Sequence, residues 1–395
     1  MKLKSTYRIL FILGAFALAL GLVYILSIAG AQSKGPIQNA LNQAEQNILD
    51  IENSLIVNKR ANKRKEALIT YDSIRSNINL LKNTKEILLG ASDNSTAESF
   101  EEIIDLEDSI HTTFPILSIY CAWGSKPNEQ FPKLAAQTIV NLGSTPFITW
   151  EPWLEDFDDA DFPGIPSPEK RGKGSLKEIA KGTYDAYITK WAQGVKSLKN
   201  PIFLRFGHEM NDPYRYPWGP QNNKPKDYVN AWKHIRLVFD SLNINNVIWV
   251  WAPHPAYGYF DAFYPGDEYV DYVGIGILNF GTAATWSKWW TFDELFGVNY
   301  EQFSSYGKPI MITEFGSLVV GGNRGHWFAD ALRQIPKKYP LLKSIVFFHQ
   351  PADKTITSKV VSWYFINDPE TRDSIIKQID MWPDSLKIAR YSLTQ

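Results

Sequence analysis

What most constrains this chain is a recurrence. Short apolar runs rich in β-branched and aromatic residues fall at 116–120, 146–149, 202–206, 247–251, 272–277, 310–313 and 345–348. Helical spacing separates several of them, as over 184–198 and 228–242, and strands alternating with helices argue for a parallel sheet. Run after run ends in polar or aromatic residues: Trp150, Glu151 and Trp153; His208, Glu209 and Asn211; Trp251 and His254; Glu314; His349 and Gln350. Functional side chains gathered at strand C-termini mark the active face of a (β/α)8 barrel, an α/β fold of about 250 residues. The predicted TIM barrel occupies 103–385.

The region before it has a different character. All 14 tryptophans lie from Trp123 onward. Lys2, Lys4 and Arg8 precede an uncharged run from Ile9 to Gln32, long enough to cross a bilayer core as roughly 20 helical residues. Residues 1–34 therefore read as a signal-anchor or transmembrane segment, with the positive flank inside and the bulk of the chain outside the cytoplasm. Secretion after signal cleavage near Ala31 is the alternative, and the length of the apolar run favours the anchor. Residues 35–89 carry two apolar series at helical spacing. Ile37, Leu41, Ala44, Ile48, Ile51 and Leu55 form one; Leu68, Tyr71, Ile74, Ile78, Leu81 and Leu88 form the other. They predict a helical hairpin or coiled-coil stalk, with self-association through 36–89 as one way of burying the stripes. Residues 90–102, opening GASDNST, read as a linker.

Composition narrows the chemistry. A formal net charge of -1 offers no global attraction for a polyphosphate, which argues against nucleic acid. The single Cys121 excludes an intramolecular disulfide and a CxxC site, and it reads as a small buried apolar residue. His208-Glu209 begins like a zinc HExxH, but the residue four on from His208 is Asp212, so that metal site is absent. The acidic run from Glu155 to Asp161 lacks EF-hand spacing and reads as a solvated loop. We expect neither metal nor cofactor.

The chemistry sits in Glu209 and Glu314. Breaking a glycosidic bond takes one carboxyl group to protonate the departing oxygen and one to meet positive charge at the anomeric carbon. Trp150, Trp153, Trp218, Trp249, Trp251, Trp286, Trp289 and Trp290 supply rings on which sugar faces pack. Glu151 reads as a third active-site carboxylate, with a structural ion pair as its rival.

The motifs Arg205-Phe206-Gly207-His208-Glu209-Met210-Asn211, Pro217-Trp218-Gly219 and Thr313-Glu314-Phe315-Gly316 resemble glycoside hydrolase family 26, the retaining endo-β-mannanases and related β-glucanases. The resemblance covers about 115–380. It implies that Glu209 is the general acid/base and Glu314 the nucleophile. It also implies that Arg205 and His208 orient those carboxylates and that Asn211 and Trp218 help form the subsite beside the cleaved bond. Glu151, Trp153, Trp251, Asn279 and His349 complete the expected sugar contacts. The chain departs from the family at Leu278, where a Tyr that bonds the nucleophile is usual nearby, and at 347–350, where a Trp commonly floors the -1 subsite. Mannan, β-glucan and an exopolysaccharide thus stay open as substrates. The competing functions are a non-catalytic carbohydrate-binding barrel on a membrane-tethered stalk and a structural part of an envelope polysaccharide machine.

Overall fold

The structure, a computed structural model, describes residues 36–92, 99–354 and 360–387, with positions 14, 18, 21, 23 and 24 besides. The expected membrane segment and the Ala31 cleavage site lie outside the described residues, apart from those five positions. Among the described residues no helix is long and apolar enough to cross a membrane.

Eight parallel strands close into a barrel in sequential order: β1 Leu88–Ser92, β2 Ile116–Ala122, β3 Thr145–Glu151, β4 Ile202–Phe206, β5 Val247–Trp251, β6 Tyr272–Asn279, β7 Ile310–Ser317 and β8 Leu342–Phe348. Helices follow the strands, among them Glu101–Ile110, Lys133–Asn141, Asp185–Leu198, Pro225–Ser241, Arg324–Lys338 and Pro369–Asp380. Their apolar stripes face the sheet. In Asp185–Leu198 the buried residues are Tyr187, Ile188, Trp191, Ala192, Val195 and Leu198, one side of a 3.6-residue turn.

Two corrections concern the boundary. The barrel begins at Leu88, so the predicted linker contains the end of β1, which pairs with β2 and β8. The second apolar series is no stalk: Leu68, Tyr71 and Leu81 are buried against Leu88, Ile116, Phe147, Phe203, Ile248, Tyr272, Met311 and Val346. These short helices plug the N-terminal end of the barrel. The Tyr272 hydroxyl donates to the Leu81 carbonyl (2.7 Å), and Tyr71 shares a hydrogen bond with Thr145 (2.6 Å). Arg64, in helix Pro36–Ala67, pairs with buried Glu107 and donates to the carbonyls of Leu142 and Phe114. Earlier in that helix Ile48, Ile51 and Leu55 are exposed. Helical structure is therefore present over the first series.

Candidate active site

At the C-terminal ends of the strands lies a cleft of about 950 Å³, and both predicted catalytic carboxylates line it. Glu209 stands on a sharp turn after β4, where Gly207 (φ 49°) and Glu209 (φ 52°) both take left-handed backbone. A glutamate pays steric strain for that conformation, and strain of this kind collects at functional sites. Neighbouring strands pin the turn: Gly207 N–H donates to the Trp150 carbonyl (3.0 Å) and Glu209 N–H to that of Ala252 (2.7 Å).

Glu314 sits within β7, opposite Gly276 of β6 in the sheet register. Its Oε1 accepts from the Tyr120 hydroxyl (2.8 Å) and from Arg205 Nη2 (2.9 Å). Arg205 is itself fixed by donation to Thr149 Oγ1 (2.9 Å) and to the Tyr120 oxygen (3.1 Å). The tyrosine usual near β6 in the resembled family has no counterpart at Leu278, and Tyr120 reaches Glu314 Oε1 from β2 instead. Glycine at 276 keeps the space between the carboxylates open. A Cβ there would lie 3.7 Å from Glu209 Oε1 and 3.9 Å from Glu314 Oε2. Those two oxygens are therefore no farther apart than the sum of these distances.

The environments of the two carboxylates differ. Burial raises Glu209 to about 7; Arg215, which donates to its Oε2 (3.1 Å), works against this, while Glu314 and Asp212 add to it. Burial likewise raises Glu151 to about 7. A carboxyl group that keeps its proton near neutrality facing a carboxylate held by a guanidinium is the division an acid and a nucleophile need.

Of the other predicted residues, Glu151, Trp153 and His208 line the cleft. His208 bonds neither catalytic carboxylate: its Nε2 meets the Tyr216 hydroxyl (3.1 Å), and its Nδ1 lies 3.9 Å from Glu151. Burial, with Arg205 and Arg215 nearby, holds this ring neutral. Trp218 is buried beneath, stacked on Tyr216 (4.6 Å) and donating to the His208 carbonyl. Asn211 does not line the cleft; it bonds the loop after β5. Three further expectations are corrected. Trp251 packs in the core against Tyr264 and Tyr306, Asn279 is buried and bonds Ser317 and the Gly281 and Trp290 amides, and His349 is buried against Tyr364 (3.9 Å). Each stands at or next to a strand end, and none lines the cleft. Half of the predicted sugar-stacking tryptophans are core too: Trp150, Trp218, Trp249 and Trp251 are buried, and of the eight only Trp153, Trp286 and Trp290 line the cleft.

Sequence reasoning missed Tyr120, Arg215, Tyr216 and Gly276, and it placed His254 at a strand end without giving it a role. Of the four missed, Tyr120 alone had a signal, its place near the C-terminal end of a predicted strand. Glu209, Asp212 and His254 each bring one ligand atom within 4.8 Å of the others and are the described residues most able to hold a cation. Arg215 already supplies positive charge there, and His254 Nδ1 accepts from the Ala256 N–H (3.1 Å). In the acidic run, Asp159 pairs with Arg171 and Asp156 with Lys126.

Comparison with known proteins agrees with this geometry. Residues 174–302 match the sequence model of glycosyl hydrolase family 26, a stretch that includes Glu209 and stops before Glu314. Endoglucanase H of Acetivibrio thermocellus is 34% identical over 244 residues, 60% of this chain and 24% of that protein. A mannan endo-1,4-beta-mannosidase of Bacillus subtilis is 29% identical over 175 residues, 41% of this chain and 43% of that one. The chain thus spans less than half the length of these relatives. The solved Bacillus subtilis mannanase man26 shares the fold, with TM-score 0.53 and 18% identity over 81% of this chain and 91% of its own. The closed eight-strand barrel and the two glutamates at the ends of β4 and β7 accompany these matches, and the chain is similar to glycoside hydrolase family 26 over residues 174–302.

Proposed function

We propose that this protein is a retaining endo-β-glycosidase acting on a β-linked glucan or mannan. The observation that carries the reading is the pair of carboxylates flanking Gly276. Retaining hydrolysis needs a separation of about 5 to 5.5 Å, which lies within the upper limit set through Gly276, and the resemblance to family 26 is what selects this course over inversion. Glu209 gives its proton to the glycosidic oxygen as Glu314 Oε2 attacks the anomeric carbon. The bond to the leaving sugar breaks, and an ester to Glu314 forms. Water then loses a proton to Glu209 and attacks the same carbon, releasing Glu314 as carboxylate. The names of the relatives, an endoglucanase and a mannan endo-1,4-beta-mannosidase, motivate the substrate class.

The test is hydrolysis of a panel of β-glucans and β-mannans by the parent, Glu209→Gln and Glu314→Gln, with NMR of the first product. Activity lost in both variants and a β-anomer released first are expected. Binding without hydrolysis by the parent would favour a carbohydrate-binding barrel, and an α-anomer would overturn the retaining mechanism. We place the barrel outside the cytoplasm, held by residues 1–34, with self-association through the exposed Ile48, Ile51 and Leu55 stripe. Protease accessibility in intact cells and sedimentation of residues 36–395 test these two points.

A further inference from the structure

Resting on the glycosidase reading, we propose that Tyr214, Tyr257 and Tyr259 form an aromatic ridge that binds the sugars on the leaving-group side of the cleaved bond, and that Asn211 positions it. Tyr214 and Tyr259 are 78% and 84% exposed, an unusual state for large rings that nothing in the barrel needs. Tyr214 meets Tyr257 edge to face (5.8 Å), and Tyr257 lies against His254 (4.6 Å). His254 and Arg215, next in the chain to Tyr214, line the cleft around Glu209. The ridge is therefore continuous with the wall that holds the general acid. An acid must touch the oxygen it protonates, so the departing sugar lies against this wall, and a polymer leaving the cleft on that side passes over Tyr214 and Tyr257, with Tyr259 two residues farther along the same loop. Flat, amphipathic rings suit a sugar's C–H face.

Two features mark the ridge as built. Tyr259 takes left-handed backbone (φ 55°), a strained state for an aromatic residue, with its carbonyl accepting from Ala262 N–H (3.1 Å). Asn211 clasps the loop between: its Nδ2 donates to the carbonyls of His254 (2.9 Å) and Gly258 (3.0 Å), and its Oδ1 accepts from His254 N–H (2.7 Å). One side chain thus ties the Glu209 turn to the segment carrying Tyr257 and Tyr259. The Ala256 N–H on Nδ1 leaves the His254 proton on Nε2, so the ring is a neutral donor for a sugar hydroxyl.

The test compares two substrates in Tyr214→Ala, Tyr259→Ala and Asn211→Asp. One is the polysaccharide the parent hydrolyses; the other is the 4-nitrophenyl glycoside of its disaccharide, which has no sugar on the leaving side. We expect kcat/KM on the polymer to fall about fivefold more per ring than on the aryl glycoside, with Asn211→Asp giving the same split. Equal effects on both substrates, or none, would overturn the ridge. Polysaccharide affinity of the same Tyr variants, read by affinity electrophoresis, separates the two proposals. Should the parent bind but not hydrolyse, weakened binding keeps the ridge and removes the glycosidase reading. A parent that neither binds nor hydrolyses the panel removes both.

Discussion

Tyr120→Phe isolates the contact that replaces the family's usual tyrosine. The hydroxyl donates to Glu314 Oε1 (2.8 Å) and accepts from Arg205 Nη2 (3.1 Å). Removing one oxygen leaves the Arg205 to Glu314 pair in place, so the fold and the charge balance are kept. What is lost is the second donor on Oε1, the one that stops the carboxylate turning about its bond to Arg205 and swinging Oε2 off the anomeric carbon. On the proposed double displacement the donor acts again when the ester to Glu314 breaks, because negative charge then returns to that carboxylate. A hydrogen bond to a charged group contributes about 1.5 to 3 kcal/mol, which converts to roughly a ten- to hundredfold slower step. We expect kcat to fall by that factor and KM to fall with it as the glycosyl-enzyme accumulates, with a burst of nitrophenol from an aryl glycoside. Rapid-quench kinetics and a thermal melt check this. A kcat within twofold of the parent, no burst and an unchanged melting midpoint would refute the reasoning.

Gly276→Ala puts a methyl group within 3.7 Å of one catalytic carboxylate oxygen and 3.9 Å of the other, ordinary contacts for folding that fill the space the anomeric carbon needs. A loss of at least a hundredfold in kcat/KM with an unshifted melt is expected, on the order of the penalty for misplacing a reacting atom by an ångström. The acid must be protonated, so kcat/KM should fall as pH rises through about 7, the value to which burial raises Glu209. Arg215 favours its ionised form, so Arg215→Gln should move that limb to higher pH, which a pH profile reads directly. Because the folded value exceeds the usual 4.5, folded Glu209 holds its proton longer than the unfolded chain does. Its contribution to stability is present below pH 4.5 and lost as pH rises to about 7. Arg64→Ala strands the buried Glu107 carboxylate and should reduce stability by about 3 to 5 kcal/mol in urea unfolding.

The parts of the fold that escaped the sequence did so for physical reasons. Seven strands announced themselves through runs such as 202–206 and 247–251, where buried parallel strands leave no room for polar alternation. The eighth, Leu88–Ser92, has Gly90, Ala91 and Ser92 where bulk was expected, and reads as a turn. Its glycine is required: a Cβ at 90 would lie 2.7 Å from the Ile116 carbonyl, so the close approach of β1 to β2 erased the signal that would have identified it. Glu209 and Glu314 were legible because a carboxylate at the end of an apolar run is conspicuous. The groups that tune them were not. Tyr120 lies 194 residues from its partner, and only closure of the barrel brings the two together. Tryptophan placement misled in the other direction, since Trp123, Trp150 and Trp191 fill the layer between sheet and helices.

The two ends of the barrel have opposite physical characters. At the N-terminal end Leu68, Tyr71 and Leu81 seal the interior, and Tyr71 and Tyr272 have hydroxyl partners. At the C-terminal end His208 Nδ1, Asp212 Oδ2, Thr313 Oγ1 and Gln350 Oε1 are buried without protein partners. The Glu209 turn adds backbone strain. A fold selected for stability alone would put apolar residues there. The polar interior of the mouth is tolerable because the other end is closed and well packed. Substitutions that stabilise this barrel most should therefore fall at the mouth and lower turnover, whereas damage to the plug should lower stability and leave kcat per folded molecule nearly intact.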